Sequence, residues 1–238
     1  MKESVAVEVL RQVKTVLDKY GVEFWLDLGA LLGAIREGKL ISWDTDVDLT
    51  TWQKNTAKVA IAFQELRKQG FVLEHSRYGI SIRDRNSSLT IGLWQIVGDK
   101  ATIRWGGFNS SPWLGKFLSV LFWAVLAPHY SRVALKAASN LKELIYFTLA
   151  RLSSFMPGRI VTYVKRIQTK FGEQTIWLVP AEYFTNLTTI DFYGMKIKAP
   201  AKTEEYLSYR YGKDWRVPRK DWVTARDDGA VFPARNYV

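Results

Sequence analysis

The sequence predicts an α+β fold, in which a mixed sheet is flanked by helices and the chain carries a basic helical insert. Apolar residues recur at intervals of three and four near the N-terminus, which is the spacing of a helix face. Short runs of β-branched and aromatic residues follow, separated by turn residues, as in a sheet of short strands. The 238 residues suit one sizeable domain. We expect a core over residues 1–110, the insert over 111–175, and a C-terminal part over 176–238 that completes the domain.

The predicted elements follow the chain in a simple order. In the core we predict a helix over 3–20, a strand over 22–28, a short helix over 30–36, a strand over 44–52 and a helix over 55–69. Four strands follow at 71–77, 79–85, 88–97 and 101–108. Helices are predicted in the insert at 113–127, 131–155 and 158–171. The C-terminal part reads as strands at 188–192 and 195–199, a helix near 203–211 and a polar tail.

Composition excludes several classes of protein. A hydrophobic content of 47% is too high for a disordered chain. The absence of cysteine excludes a disulfide framework and any cysteine-built zinc or iron–sulfur site. The N-terminal residues lack the apolar region of a signal peptide, and the longest charge-free apolar run, 117–131, is shorter than the ~20 residues of a spanning helix. We therefore expect a cytoplasmic protein, either free in solution or peripheral on the inner face of the membrane.

Three alternating aspartates, Asp44, Asp46 and Asp48, carry the clearest chemical signal. On a strand they would share one face at a spacing of roughly 7 Å, and like charges so placed are costly unless a cation neutralises them. Oxygen ligands of this kind suit Mg²⁺ or Mn²⁺. A solvated edge strand is an equally open interpretation. A calcium-binding loop is excluded, because Leu49 and Asn55 stand where such a loop needs Gly and Glu.

A glycine-bracketed turn precedes the aspartates. Gly29 and Gly33 flank the start of the short predicted helix, and Ala30 is its first residue. Glycine allows a phosphate to approach the backbone, and a helix N-terminus favours the phosphate charge. Arg36 would add a fork of hydrogen-bond donors. Together with the aspartates, this pattern indicates metal-assisted transfer at a phosphorus centre.

Two blocks of sequence resemble a known family. The first is LDLGALLGAIR at 26–36, followed by ISWDTDVD at 41–48. The second comprises FYG at 192–194, EYL at 205–207 and YG at 211–212. Both resemble the signature of the LicD family, which includes the fukutin-related proteins, within the nucleotidyltransferase-fold superfamily. The resemblance extends over nearly the whole chain and implies a nucleotidyltransferase-like sheet.

This resemblance implies an enzyme, a metal-dependent phosphotransferase. Such proteins move a phosphorylated small group, for example phosphocholine or an alditol phosphate, from a CDP-linked donor to a glycan hydroxyl in cell-surface polysaccharide or glycoconjugate biosynthesis. The resemblance assigns the metal to Asp46 and Asp48, with Asp44 as a third catalytic residue that is a ligand or orients one. It assigns the donor phosphates to Gly29, Ala30, Gly33 and Arg36. Two alternatives stay open, namely nucleotidyl transfer to a small molecule and a non-catalytic relative that binds glycan or membrane.

One departure from the family pattern favours the non-catalytic alternative. The superfamily usually adds a carboxylate on a later strand, and here Gly92 stands where that Asp would be expected. Asp44 is the obvious substitute, and Asp84 and Asp99 are weaker ones. The sequence does not decide among them.

The positive charge is concentrated in the insert and its borders. Residues 100–172 hold eleven basic residues and a single acidic one. The segment 113–127 is apolar nearly all round, so that such a helix is either buried or in lipid. Basic, apolar-faced helices beside a phosphotransfer site favour an anionic membrane surface and a lipid-linked glycan acceptor, while a helical lobe packed on the core is equally open. We expect no nucleic acid, because the insert contains no recognised binding module.

Overall fold

The computed structural model describes residues 2–75, 79–84, 87–107 and 173–233. Contacts divide the chain into two units, one formed by Met1–Ile103 with Ile176–Phe232, and the other by Arg104–Thr175 with Pro233–Val238. The first unit holds the predicted site. The three helices predicted for the insert lie outside the described residues.

The helices of the described ranges are α1 (Glu3–Lys19), α2 (Leu28–Arg36), α3 (Thr56–Lys68), α4 (Glu182–Thr185), α5 (Thr203–Tyr211) and α6 (Thr224–Asp227), with a 3₁₀ turn at Gln53–Asn55. The strands are β1 (Phe24–Leu26), β2 (Val47–Trp52), β3 (Val72–His75), β4 (Gly79–Asp84), β5 (Ser87–Val97), β6 (Lys100–Gly107), β7 (Glu173–Pro180), β8 (Leu187–Phe192), β9 (Met195–Pro200) and β10 (Val231–Pro233). Within these ranges, no helix has the length and apolar character that crossing a membrane requires.

The described strands form one mixed sheet. Their order is β10-β7-β6-β5-β2-β1-β9-β8, and β4 joins both β5 and β3. Strand β1 runs antiparallel to β2 and parallel to β9, while β2 runs parallel to β5. Helix α2 contacts β2, and α1 contacts both β5 and α3. A mixed sheet flanked by helices is the fold class that the sequence predicts, and that prediction is confirmed.

Most core elements lie where the sequence patterns predict them. Helix α1 buries one apolar face, which comprises Ala6, Val9, Leu10, Val13, Val16 and Leu17. One prediction about the site is wrong: β2 begins at Val47 and not at residue 44. The reason is local, because the backbone N–H of Asp44 donates to the carbonyl of Ile41 (3.1 Å) and bends the chain before the strand. Asp44 and Asp46 therefore precede the strand, and Asp48 lies on it.

An aromatic cluster brings the C-terminal helices to the sheet. The ring of Phe184 on α4 lies 5.1 Å from Trp25, 5.0 Å from Trp94 and 5.3 Å from Tyr206, measured between centroids. Tilted and edge-to-face pairs of this kind each contribute about 0.5–1.5 kcal/mol beyond their buried area. Tyr206 lies on α5, so this cluster packs α5 beside β1 and next to the residue that follows it, Asp27.

Candidate active site

The turn from β1 into α2 is built around Asp27. Its carboxylate caps the helix, since Oδ1 accepts a hydrogen bond from the backbone N–H of Leu28 (2.8 Å). Leu28 has a φ of +47°, a left-handed conformation that costs an L-residue about 1–2 kcal/mol. The cap and this conformation let the chain reverse sharply between the strand and the helix. The first helical turn, which contains Gly29 and Ala30, therefore faces the loop before β2.

Asp44 lies against this first turn. A Cβ atom on Gly29 would overlap the Oδ2 atom of Asp44, so only glycine leaves room for the carboxylate. The bend at Ile41 returns the loop to the helix and places Asp44 there. Negative charge is favoured at a helix N-terminus, where backbone N–H groups point outward. The helix start predicted to bind a donor phosphate thus has a carboxylate beside it.

The carboxylates of Asp44 and Asp46 are close enough to affect each other. Burial, reinforced by the charge of Asp46, raises the pKa of Asp44 to about 6. Burial also raises the pKa of Asp46, although a hydrogen bond from Thr90 Oγ1 to its Oδ2 (3.4 Å) opposes the change. The ionised forms of both carboxylates are therefore disfavoured, and a bound cation would stabilise these ionised forms.

Asp48 is buried on β2, directly opposite Thr90 on β5. The oxygen donors of Asp46 and Asp48 fit Mg²⁺, which commonly takes one or two carboxylates and completes its shell with water and substrate phosphates. Among the residues the structure describes, no group of three or more acidic or histidine side chains is placed to hold an ion. Any ion held by this pair would therefore need oxygens from solvent or substrate, and the metal stays a prediction.

The remaining predicted phosphate ligands are spread along α2. Ala30 is buried in the first turn. Gly33 is a packing glycine, because a Cβ there would lie 2.5 Å from the backbone oxygen of Lys39. Arg36 lies at the other end of the helix, about 12 Å from Leu28. Its Nη2 donates to Glu37 (2.7 Å) and its Nη1 to the Trp215 carbonyl (3.5 Å). Their roles toward a phosphate stay predictions.

The strand register shows which residue of β2 lies opposite Gly92. Gly92 is paired with Thr50, whereas the residue opposite Asp48 is Thr90. Val97, the last residue of β5, lies about 23 Å along the strand from Thr90, and Asp99 follows in the next turn with a side chain 86% exposed. It is therefore removed from the site, and the side chain of Asp84 lies outside the described atoms. Asp44, by contrast, lies close to Asp46, and its role as the substitute stays a prediction.

A buried polar network centred on Asp27 holds the turn between β1 and α2, and the sequence patterns do not predict it. Asp27 Oδ2 accepts from Thr50 Oγ1 (2.8 Å), and Asp27 Oδ1 accepts from Tyr206 OH (2.5 Å) and lies 3.6 Å from Arg210 Nη1. The guanidinium of Arg210 also pairs with Asp228. Burial lowers the pKa of Arg210, but the charges around it, that of Asp228 first, hold this pKa well above its usual value.

The sequence offers little signal for this network. Tyr206 belongs to the family-like EYL block, which marks it without giving it a partner. Arg210 and Asp228 are charged residues of a polar region, and such residues are mostly exposed in folded proteins. Here Arg210 is completely buried. Only the packing of α5 beneath β1 reveals it.

Aromatic and basic side chains lie near the aspartates at 44–48, and some of them come from the C-terminal part of the chain. Trp43, the residue before Asp44, is 38% exposed. The ammonium group of Lys220 lies over its ring, 5.4 Å from the centroid. Burial is the main cause that raises the pKa of Tyr211 well above its usual value, and the charge of Asp48 contributes to the change. The segment from Tyr211 to Lys220 therefore reaches the rim of the acidic site.

Comparison with known proteins identifies the domain. Residues 21–112 match the family model described as LicD/FKTN/FKRP, nucleotidyltransferase domain. The chain is 25% identical over 229 residues to "Ribitol-5-phosphate transferase FKTN" of Homo sapiens, an alignment covering 96% of this chain and 37% of that protein. It is 37% identical over 95 residues to "Ribitol 5-phosphate transferase FKRP" of Mus musculus, covering 37% of this chain and 19% of that protein. The chain thus spans 37% of the length of the FKTN relative.

Solved structures add a distant likeness. The crystal structure of ANT(2")-Ia in complex with adenylyl-2"-tobramycin shares 16% identity and covers 68% of this chain and 95% of that chain. Its TM-score is 0.34, which supports no conclusion about this chain. The family assignment rests instead on the sequence match over the strand, the helix and the aspartates described above. The resemblance found in the motifs is therefore confirmed, because residues 21–112 match the model of the LicD/FKTN/FKRP nucleotidyltransferase domain.

Proposed function

We propose that this protein is a metal-dependent phosphotransferase, which moves a phosphorylated small group from a CDP-linked donor to a glycan hydroxyl. The observation that carries the proposal is the gathering of Asp44 and Asp46 at the N-terminus of α2, beside the buried Asp48, inside the matched domain. Relatives named as ribitol-5-phosphate transferases make an alditol phosphate the first group to test.

The roles we assign follow from the donor atoms. Asp46 and Asp48 would hold Mg²⁺ or Mn²⁺, which supplies positive charge to the phosphates of the donor and to the departing CMP. Asp44 would join them as a ligand or orient Asp46. The cap at Asp27 satisfies the N–H of Leu28, and the N–H of Leu31 donates to the Asp27 carbonyl (3.0 Å).

This pattern leaves two N–H groups at the start of α2, those of Gly29 and Ala30, without an intrahelical acceptor. The Asp44 carboxylate lies next to Gly29. We assign the donor phosphate to these groups, because a helix N-terminus combines free N–H donors with a favourable dipole. Gly33 and Arg36, further along α2, would act on the donor through the position of the helix.

The acceptor and the location belong to the proposal as well. A lipid-linked glycan would bring the enzyme to the cytoplasmic face of a membrane, and the basic residues of the segment 111–175 would favour an anionic surface. Vesicle sedimentation at low and high salt tests this part by itself. Absence of binding to anionic vesicles at low salt would contradict it without touching the transfer reaction.

Product analysis tests the reaction. Purified protein is incubated with CDP-linked ribitol and a glycan acceptor, with Mg²⁺ or with a chelator, and release of CMP is measured together with phosphodiester formation. We expect Asp46→Asn and Asp48→Asn to abolish Mg²⁺-dependent turnover while the thermal midpoint stays near the wild-type value. Asp191→Asn, at an exposed carboxylate on β8, is the matched control. Unchanged turnover in both site variants would refute the proposal.

A second function is favoured by the description of the matched domain as a nucleotidyltransferase domain. Nucleotidyl transfer would consume CTP or another triphosphate and release pyrophosphate, whereas phosphotransfer from a CDP-linked donor releases CMP. The same incubation, with the triphosphate in place of the donor, therefore separates the two reactions. Pyrophosphate release that depends on Asp46 and Asp48 would establish the second function instead.

A further inference from the structure

We infer that Lys220, held over the ring of Trp43, is a donor-binding residue that contacts the pyrophosphate of the CDP-linked donor. This inference rests on the proposed function and adds a residue outside the sequence motif. Trp43 directly precedes Asp44, so the lysine stands at the rim of the acidic site. The contact joins two segments that are far apart in the chain.

The charges around the site favour an additional cation, such as the Lys220 ammonium group, next to a bound pyrophosphate. Two carboxylates offset much of the charge of a divalent ion, so a further protein cation would stabilise a pyrophosphate bound beside it. Arg36, the basic residue of the motif, is hydrogen-bonded to Glu37 (2.7 Å) and to the Trp215 carbonyl (3.5 Å). Its side chain is 7% exposed, so that binding a ligand would require breaking these contacts.

Two other basic residues of this segment, Arg216 and Arg219, are held by carboxylates. Arg216 pairs with Glu204 at 2.5 Å, and Arg219 pairs with Asp221 at 3.2 Å. Lys220 differs from both, because within the described part of the chain its one recorded partner is the face of Trp43. A cation whose partner is an aromatic face keeps its N–H donors available to a phosphate.

The segment that carries Lys220 is anchored to the rest of the fold, so the position of the lysine is fixed. Trp215 is buried, and its carbonyl accepts from Arg36. Val217 N–H donates to the Asp214 carbonyl at 2.8 Å and closes a turn ahead of the lysine. The Trp43 ring then fixes the direction of the ammonium group, which makes Trp43 a positioning residue.

Binding of CDP in the presence of Mg²⁺, measured by titration calorimetry on the full chain, tests the inference. We expect Lys220→Met to weaken CDP binding by about tenfold, which corresponds to the loss of one hydrogen bond to a charged group. Lys220→Arg should restore most of the affinity, and Trp43→Phe should bind more tightly than Trp43→Ala. Lys54→Met is the matched control, because it removes an exposed lysine from the 3₁₀ turn at the far end of β2.

The outcomes separate this inference from the function beneath it. If wild-type protein binds CDP and Lys220→Met binds it as tightly as Lys54→Met does, the role of Lys220 is refuted and the proposed function stands. If Lys220→Met alone weakens binding and both Trp43 variants behave like wild type, the lysine contact is supported and the positioning role of the ring is refuted. If wild-type protein binds no CDP with Mg²⁺, both the inference and the CDP-linked donor fail.

Discussion

Replacement of Asp27 probes the turn on which the whole site depends. The side chain is buried and accepts hydrogen bonds from Leu28 N–H, Thr50 Oγ1 and Tyr206 OH, at 2.8, 2.8 and 2.5 Å. It also lies 3.6 Å from the buried guanidinium of Arg210. Asp27→Ala removes these four contacts together, whereas Asp27→Asn keeps the shape of the side chain and one of its two oxygens.

The magnitudes follow from these contacts. Loss of a helix cap costs about 1 kcal/mol, and removal of one partner from a buried ion pair costs about 3–5 kcal/mol. Arg210 keeps its pairing with Asp228, so we expect the lower part of that range, about 3 kcal/mol, for Asp27→Ala. Asp27→Asn should cost about 1–1.5 kcal/mol, because the Thr50 hydroxyl can turn to accept from the new amide. At about 2–4 °C per kcal/mol for a chain of this size, the alanine variant should melt roughly 6–12 °C lower.

Urea unfolding of the wild type and both variants, followed by tryptophan fluorescence, measures the difference. Thr15→Ala on α1 is the control, since its hydroxyl donates to the Arg11 carbonyl (2.8 Å) on an exposed surface. It should change the free energy of unfolding by less than about 0.5 kcal/mol. A loss below about 1 kcal/mol for Asp27→Ala, or equal losses for the alanine and asparagine variants, would refute the assignment of a buried, charge-dependent network.

Three further substitutions test the packing around the site. Gly33→Ala should lower the free energy of unfolding by about 1–3 kcal/mol, because the new methyl group meets a backbone oxygen that cannot move away easily; a stabilised variant would contradict this. Gly29→Ala meets only the end of the Asp44 side chain, so it should cost less stability than Gly33→Ala but more turnover in the CMP-release assay. Tyr193→Phe leaves the buried N–H of Leu40 without its acceptor at 2.8 Å and should cost about 1–2 kcal/mol in urea unfolding, whereas no loss would show that water replaces the hydroxyl.

Local patterns in the sequence predict the elements whose determinants are local. The periodicity of apolar residues gives α1 to within one residue of its observed end, and the bounds of α5 agree with the predicted helix at 203–211. The motif at 26–48 indicates the family because the turn from β1 into α2 allows only certain residue types at these positions. Gly29, for instance, is required by the approach of Asp44 to the helix start.

Features set by distant parts of the chain are not predictable in this way. Tyr206 meets Asp27 across 179 positions, so no window of sequence contains the contact. Strand β10 and helix α6 lie in what reads as a polar tail, and their positions depend on pairings such as the bond from Leu178 N–H to the Ala230 carbonyl (2.9 Å). The strand predicted from residue 44 fails for a related reason, since the alternation of aspartates resembles a strand while the bend at Ile41 is set by packing on α2.

The register of β2 and β5 gives a physical reading of Gly92 that the sequence could not supply. A side chain at this position would point toward Thr50 Oγ1 and Trp94 Nε1, at 3.5 and 3.4 Å from its Cβ. Thr50 already donates to Asp27, so a carboxylate at position 92 would place a second negative charge beside the buried one. Arg210 is shared between Asp27 and Asp228 and could not balance a third carboxylate. Glycine at this position therefore keeps a further negative charge away from the buried network that holds the α2 turn.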